Sequence, residues 1–147
     1  MSSLAPIIEL SKYYYIHTYC SASPDFQQNE KIQVDLDVKS TLLQHEKDPE
    51  QWRINLSVGL ADDTNDRNTP YDFFISITGF FTCPSTEEEC GETLGKLAPL
   101  IYVNGSSLLY SMAREYVRNI TSGGPYGQYL LPTFRFNPED ILPSEDE

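Results

Sequence analysis

Few side chains in this sequence have the types and spacing that chemistry requires. There are two histidines, His17 and His45, and no HxxxH, HExxH or CxxC pairing supplies a metal-ligand set. His17 lies in an aromatic run and reads as a structural or interface residue, while His45 stands in a charged loop and reads as merely solvated. Cys20, Cys83 and Cys90 are an odd number of thiols without an adjacent activating base, which disfavours a disulfide scaffold, a structural zinc site and a reactive nucleophile alike. Asp35 and Asp37 alternate onto one face of a strand, whereas a glycosidase pair faces across a cleft, so they read as a polar sheet face. "NGSS" and "SGGPYG" lack the Lys-Ser/Thr that a phosphate loop requires, and no G-x-S-x-G elbow is present. The expectation is a protein that is not an enzyme and uses no metal and no cofactor.

What stands out instead is aromatic content: ten Tyr, seven Phe and one Trp. Two readings fit it, a core plus a subunit interface, or a groove that grips apolar peptide with help from strand edges. The chain has 147 residues, enough for one domain with a real core. Ten basic against 22 acidic residues give a net charge of −12, which disfavours nucleic acid and suits solubility or basic partners. No apolar run approaches the about 20 residues that span a bilayer. "MSSLAPIIEL" lacks the basic and apolar regions of a secretory signal, so a cytoplasmic protein with no membrane insertion is expected.

The elements that must position any surface follow from periodicity. "IIELSKYYYIHTY" (7–19) reads as a strand with Tyr13, Tyr15, His17 and Tyr19 on one face. "KIQVDLDVKS" (31–40) alternates Ile32, Val34, Leu36 and Val38 against polar neighbours; "WRINLSVGL" (52–60) and "YDFFISITGFF" (71–81) complete four strands. "LLQHEKDPEQ" and "ADDTNDRNTP" read as connections. "STEEECGETLGKL" opens a helix with a Ser85/Glu88 capping box, Pro99 and Gly105 break it, and a second helix starts near Ser106. That helix carries Leu108, Leu109, Met112, Ala113, Tyr116, Val117 and Ile120 on its apolar face, with Gly123 and Gly124 as its C-terminal cap. A short helical stub is expected at Pro138 to Leu142. The predicted class is α+β, a four-stranded antiparallel sheet with helices packed on one face. Residues 1–142 are read as a single domain and 143–147 as a disordered acidic tail.

"YSMAREYVRNITSGGPYGQYLLPTFRFNPEDI" resembles the closing region of the SecB family of protein-export chaperones. The family's pattern is a helix with an Ala-Arg-Glu core, a glycine break, a leucine-rich stretch, a Pro, and an aromatic near Asn or Asp. Here these are Ala113, Arg114 and Glu115; Gly123 and Gly124; Leu130, Leu131 and Pro132; and Phe134, Phe136 and Asn137. "PLIYVNGSSLLY" is similar to the family's crossover between helical pieces, "QVDLDV" to its second strand and "TGFF" to the end of its fourth.

The resemblance implies a dimer of dimers and an ATP-independent holdase that binds non-native polypeptides in long apolar grooves. Carried over by position, it implies groove residues Val34, Leu36, Phe74, Leu100, Ile101, Tyr102, Tyr129, Leu130 and Phe134. Leu109, Met112 and Tyr116 would pack under the sheet or between dimers. In export chaperones an acidic patch docks the SecA motor; the matching positions fall near Tyr15, Tyr19 and Phe74, with Asp72 the nearby carboxylate, so the patch is not reproduced. The C-terminal lid helix is reduced to "FNPEDILPSEDE". Protein export through SecA and protection of an antitoxin, as in toxin–antitoxin–chaperone systems, both stay open. The rival reading is a structural or adaptor subunit with one fixed partner.

Overall fold

A computed structural model describes residues 8–61, 68–83 and 94–141. The elements are β1 (Glu9–Ala22), β2 (Leu36–Gln44), β3 (Gln51–Leu60), β4 (Tyr71–Thr82), α1 (Leu94–Thr121) and a short 3-10 turn (Pro138–Asp140). The strands form one antiparallel sheet in the order β1-β4-β3-β2, with α1 packed against it. The α+β architecture is therefore the one the periodicity predicts.

The register gives the sheet two different faces. Trp52, Ile54, Leu56 and Val58 of β3 pair with Phe81, Gly79, Ile77 and Ile75 of β4, and all except Gly79 are apolar side chains buried in the core. Each large apolar side chain so buried contributes roughly 1.5–3 kcal/mol, which makes this helix-side face the main source of stability. The opposite face, carrying Arg53, Asn55 and Ser57 against Phe80, Thr78 and Ser76, has no element over it among the described residues.

Several expectations about the strands and helix are corrected. Tyr13, Tyr15, His17 and Tyr19 do not share a face, because β1 shifts register between Leu10 and Lys12 and again between Tyr15 and His17. The second shift leaves Tyr15 stacked on Tyr116 of α1 and puts His17 against Phe74 on the open side. Next, β2 lies later than 31–40. It pairs from Leu36 opposite Leu60 to Gln44 opposite Trp52, so Leu42 to Gln44 belong to the strand and not to the connection. Among the described residues no strand lies opposite Ile32, which stays 46% exposed, and Gln33 makes an isolated bridge to Asn68.

Finally, α1 is one continuous helix of 28 residues that runs through Pro99 and Gly105. Pro99 lies in its second turn, where it removes one backbone bond, and the helix continues through it. Gly105 is where the helix touches the sheet: a Cβ there would lie 2.5 Å from Cδ1 of Ile54. Next to it the buried hydroxyls of Ser106 and Ser40 are hydrogen-bonded at 2.6 Å, joining helix to β2. The Ser85/Glu88 box and Cys90 lie outside the described residues, as does the 143–147 tail.

The buried stripe of α1 is Leu97, Ile101, Tyr102, Leu109, Tyr110, Ala113 and Val117. Leu108 and Ile120, expected on that stripe, are instead 43% and 41% exposed. Nor do Gly123 and Gly124 end the helix by a left-handed turn. The positive φ belongs to Gly127, at 80°, and Gly124 is small because its Cβ would meet the Tyr71 hydroxyl at 2.5 Å. The expected stub at 138–142 is the 3-10 turn Pro138–Asp140.

Candidate functional site

After α1 the chain turns back as an extended arm, and polar contacts fix its path. The Tyr71 hydroxyl donates to the Gly127 carbonyl (2.8 Å) and accepts from the Tyr126 N–H (3.1 Å). Thr121 Oγ1 accepts from the Tyr129 N–H at 2.8 Å. Further along, Arg114 Nε donates to the Leu131 carbonyl (3.1 Å) and the Tyr110 hydroxyl to the Pro132 carbonyl (2.6 Å). The successive partners Thr121, Arg114 and Tyr110 show that the arm runs antiparallel to the helix. The Ala-Arg-Glu block thereby divides its labour: Ala113 packs on the sheet, Arg114 clamps the arm, and Glu115 pairs with Arg118.

The arm buries some of its apolar side chains and exposes others. Tyr129, Leu131 and Phe136 are buried, whereas Leu130 and Phe134 are 58% and 39% exposed. Its aromatic end builds a cluster: Phe134 and Phe136 have ring centroids 4.8 Å apart, Tyr110 lies 5.7 Å from Phe134, and Tyr102 meets Phe136 edge-on at 6.2 Å. Burial pushes the Tyr110 hydroxyl up to about 12, with Arg114 opposing and Tyr129 adding to the rise. Burial also raises Tyr102 and Tyr129, so these hydroxyls stay neutral donors.

Between this cluster and β2 lies a recess of about 290 Å³, walled by Val38, Ser40, Tyr102, Phe134, Phe136 and Asp140 among others. Among the described residues β2 is an outermost strand, paired to β3 on one side only. A strand edge therefore borders a recess with aromatic walls, the two components that hold an extended peptide by backbone pairing and side-chain insertion.

The structure brings together some of the residues expected to line a groove and separates others. Tyr102 and Phe134 face the recess; Leu36 starts the strand beside it, and Val34 stands half-buried just before that strand. Ile101 is fully buried in the core, and Tyr129 is 8% exposed beneath the arm. Leu100 lies on the outer side of α1, 37% exposed. Phe74 stands on the open sheet face beside His17, away from the recess. Val38 and Phe136 were missed as recess residues; the period-two run Leu36-Val38 and the aromatic pair at 134 and 136 were their sequence signals.

The remaining chemical candidates resolve into structural roles. His45, expected to be only solvated, accepts at Nδ1 from the N–H groups of Lys47 (3.0 Å) and Asp48 (3.1 Å) and so shapes the β2–β3 turn. Asp37 pairs with Lys39 at 3.7 Å on the open face. Cys20 is half-buried, and burial together with the Asp72 carboxylate raises its thiol, which disfavours the nucleophilic thiolate. Among the described residues, no group of three or more His, Cys, Asp or Glu is placed to hold a metal ion. No helix among them is long and apolar enough to cross a membrane.

No family model and no curated protein sequence matches the chain. Solved structures do. A Mycobacterium tuberculosis SecB-like chaperone, in complex with a ChAD peptide from the HigA1 antitoxin, superposes with a TM-score of 0.61 at 16% identity, covering 88% of this chain and 91% of that one. A Streptococcus agalactiae protein of unknown function covers 88% of this chain and 99% of its own, at 10% identity and a TM-score of 0.43. The first likeness shows a SecB-like fold, as the resemblance in the closing region implies.

Proposed function

We propose that this protein is an ATP-independent chaperone that holds extended, non-native polypeptide, and that the client lies along β2. The observation that carries this reading is the unpaired β2 edge bordering the recess walled by Tyr102, Phe134 and Phe136. A client strand would pair with β2 through its backbone and insert alternate apolar side chains into the recess, which needs no fixed sequence. Binding lowers the free concentration of aggregation-prone chain by mass action. The SecB-like fold supports the same reading, and the antitoxin peptide bound by the mycobacterial chaperone supports an antitoxin as client class. Export clients are the less favoured class, because the positions that the resemblance matches to the motor-docking carboxylates hold Tyr15, Tyr19 and Phe74.

The same reading includes assembly as a dimer of dimers in the cytoplasm. Among the described residues β1 is a second unpaired edge, 14 residues long, with Ile16 58% and Tyr13 47% exposed, and Leu100 and Leu108 are exposed apolar side chains of α1. Long exposed edges with apolar side chains of this kind are usually covered by another chain.

The test is aggregation of a chemically unfolded reporter with and without the protein, with mass by light scattering. Suppression near stoichiometry by a tetramer is the expected result. A well-folded protein that suppresses nothing, and captures one partner only, would establish the adaptor reading instead.

A further inference from the structure

The open sheet face is not uniform. At the end near the β2–β3 turn, the register aligns Leu43, Arg53, Phe80 and Lys12 in one row across all four strands. Lys12 Nζ sits 5.1 Å over the Phe80 ring, and the Tyr14 ring lies 5.9 Å from it. A recess of about 270 Å³ opens here, with Leu43, Arg53 and Phe80 in its wall. The middle of the face is polar: Thr78 donates to Asn55 at 2.8 Å, and Ser57 lies opposite Ser76.

In a protein of net charge −12, two of ten basic residues flank this one aromatic. Among the described residues the ion pairs are Lys39–Asp37 and Arg118–Glu115, so neither Lys12 nor Arg53 has a carboxylate partner there. Unpaired cations on either side of Phe80, with Arg53 in the recess wall and Lys12 over the ring, match a ligand that carries the opposite charge around an apolar centre.

We propose that this end of the open face is a second peptide site, selective for a segment in which an apolar side chain is flanked by carboxylates. The apolar side chain enters the recess walled by Leu43 and Phe80. The carboxylates are met by the Arg53 guanidinium on one side and the Lys12 ammonium on the other. The site is separate from the β2 edge, lies on the opposite face of the sheet from α1, and does not depend on the holdase reading.

The test uses two fluorescein-labelled blocked pentapeptides, Glu-Leu-Glu-Leu-Glu and Lys-Leu-Lys-Leu-Lys, titrated with the full-length protein by anisotropy. The acidic peptide should bind at least about tenfold more tightly than the basic one and weaken as salt rises. Arg53→Glu and Lys12→Glu, both exposed positions, should each weaken it by about tenfold or more, while Phe134→Asp should leave it unchanged. Near-ultraviolet circular dichroism checks that each variant keeps its fold. Equal affinity for the two peptides, no binding of the acidic peptide up to about 1 mM, or loss on Phe134→Asp with Arg53→Glu silent would each overturn the proposal.

Discussion

Arg114 holds the backbone carbonyl of Leu131 through its Nε at 3.1 Å, so a residue in the middle of α1 fixes the path of the arm that returns from its end. A carbonyl held by a guanidinium is a charge-assisted contact worth roughly 1.5–3 kcal/mol. Arg114→Ala should therefore destabilise the protein by about that amount in urea titration. It should also raise amide exchange along the arm before it affects the sheet. Exchange rising uniformly over the whole chain would mean that the arm is not a separately held unit.

Gly105 and Ile54 are in closer contact than any other residue would permit. A Cβ at 105 would fall 2.5 Å from Ile54 Cδ1, and the other neighbour is the Phe81 ring at 3.2 Å. Gly105→Ala should destabilise by about 1–3 kcal/mol through overpacking, despite alanine's better helix propensity. Ile54→Val removes the methyl in the way and should restore part of the loss. The double-mutant cycle should therefore show a favourable coupling of at least about 0.5 kcal/mol.

Tyr110 ties stability to alkaline pH. Its hydroxyl is pushed up to about 12 by burial while an unfolded tyrosine titrates near 10, so between these values the folded state holds a proton that the unfolded state has lost. The contribution is fully present below pH about 10 and is lost as pH rises towards about 12. Tyr102 and Tyr129 shift in the same direction and add to the effect. Tyr110→Phe leaves the Pro132 carbonyl without its donor, at a cost of about 1–3 kcal/mol at neutral pH, but flattens the alkaline decline. Urea midpoints at pH 9 and 11 for both proteins measure it. An unchanged slope in the variant would assign the decline to other groups.

The sheet was legible in the sequence because its central strands are half-buried and antiparallel, the arrangement that period-two alternation reports. Trp52, Ile54, Leu56 and Val58 show this directly. β1 was misread because a bulge adds a residue without changing composition: the shift between Tyr15 and His17 reverses the faces and no residue type signals it. Pro99 and Gly105 were misread for a different reason. Local propensity treats both as breakers, and the contact of Gly105 with Ile54 that explains the glycine joins residues 51 positions apart. The recess was half visible. Tyr102 and Phe134 were named, but their meeting with Val38 depends on the arm doubling back along α1, which is set by Tyr71, Thr121 and Arg114 contacts that no spacing shows.

The uneven burial of the arm separates client contact from folding. Phe134 is 39% exposed and walls the recess beside β2, whereas Leu131 is 1% exposed in the core. Phe134→Asp should abolish suppression of reporter aggregation at a stability cost of about 0.5–1.5 kcal/mol for each lost ring contact, with Phe136 and with Tyr110. Leu131→Ala should lower stability by about 2–5 kcal/mol, and client binding only as far as the fold is lost. Leu130, at 58% exposed, points away from the buried side of the arm, and Leu130→Asp reports on what covers that surface. If the client lies along the arm, Leu130→Asp should weaken binding and keep the oligomer. Loss of the oligomer in light scattering would assign Leu130 to a subunit contact. Full suppression activity in Phe134→Asp, with the fold intact, would remove the β2 recess as the client site.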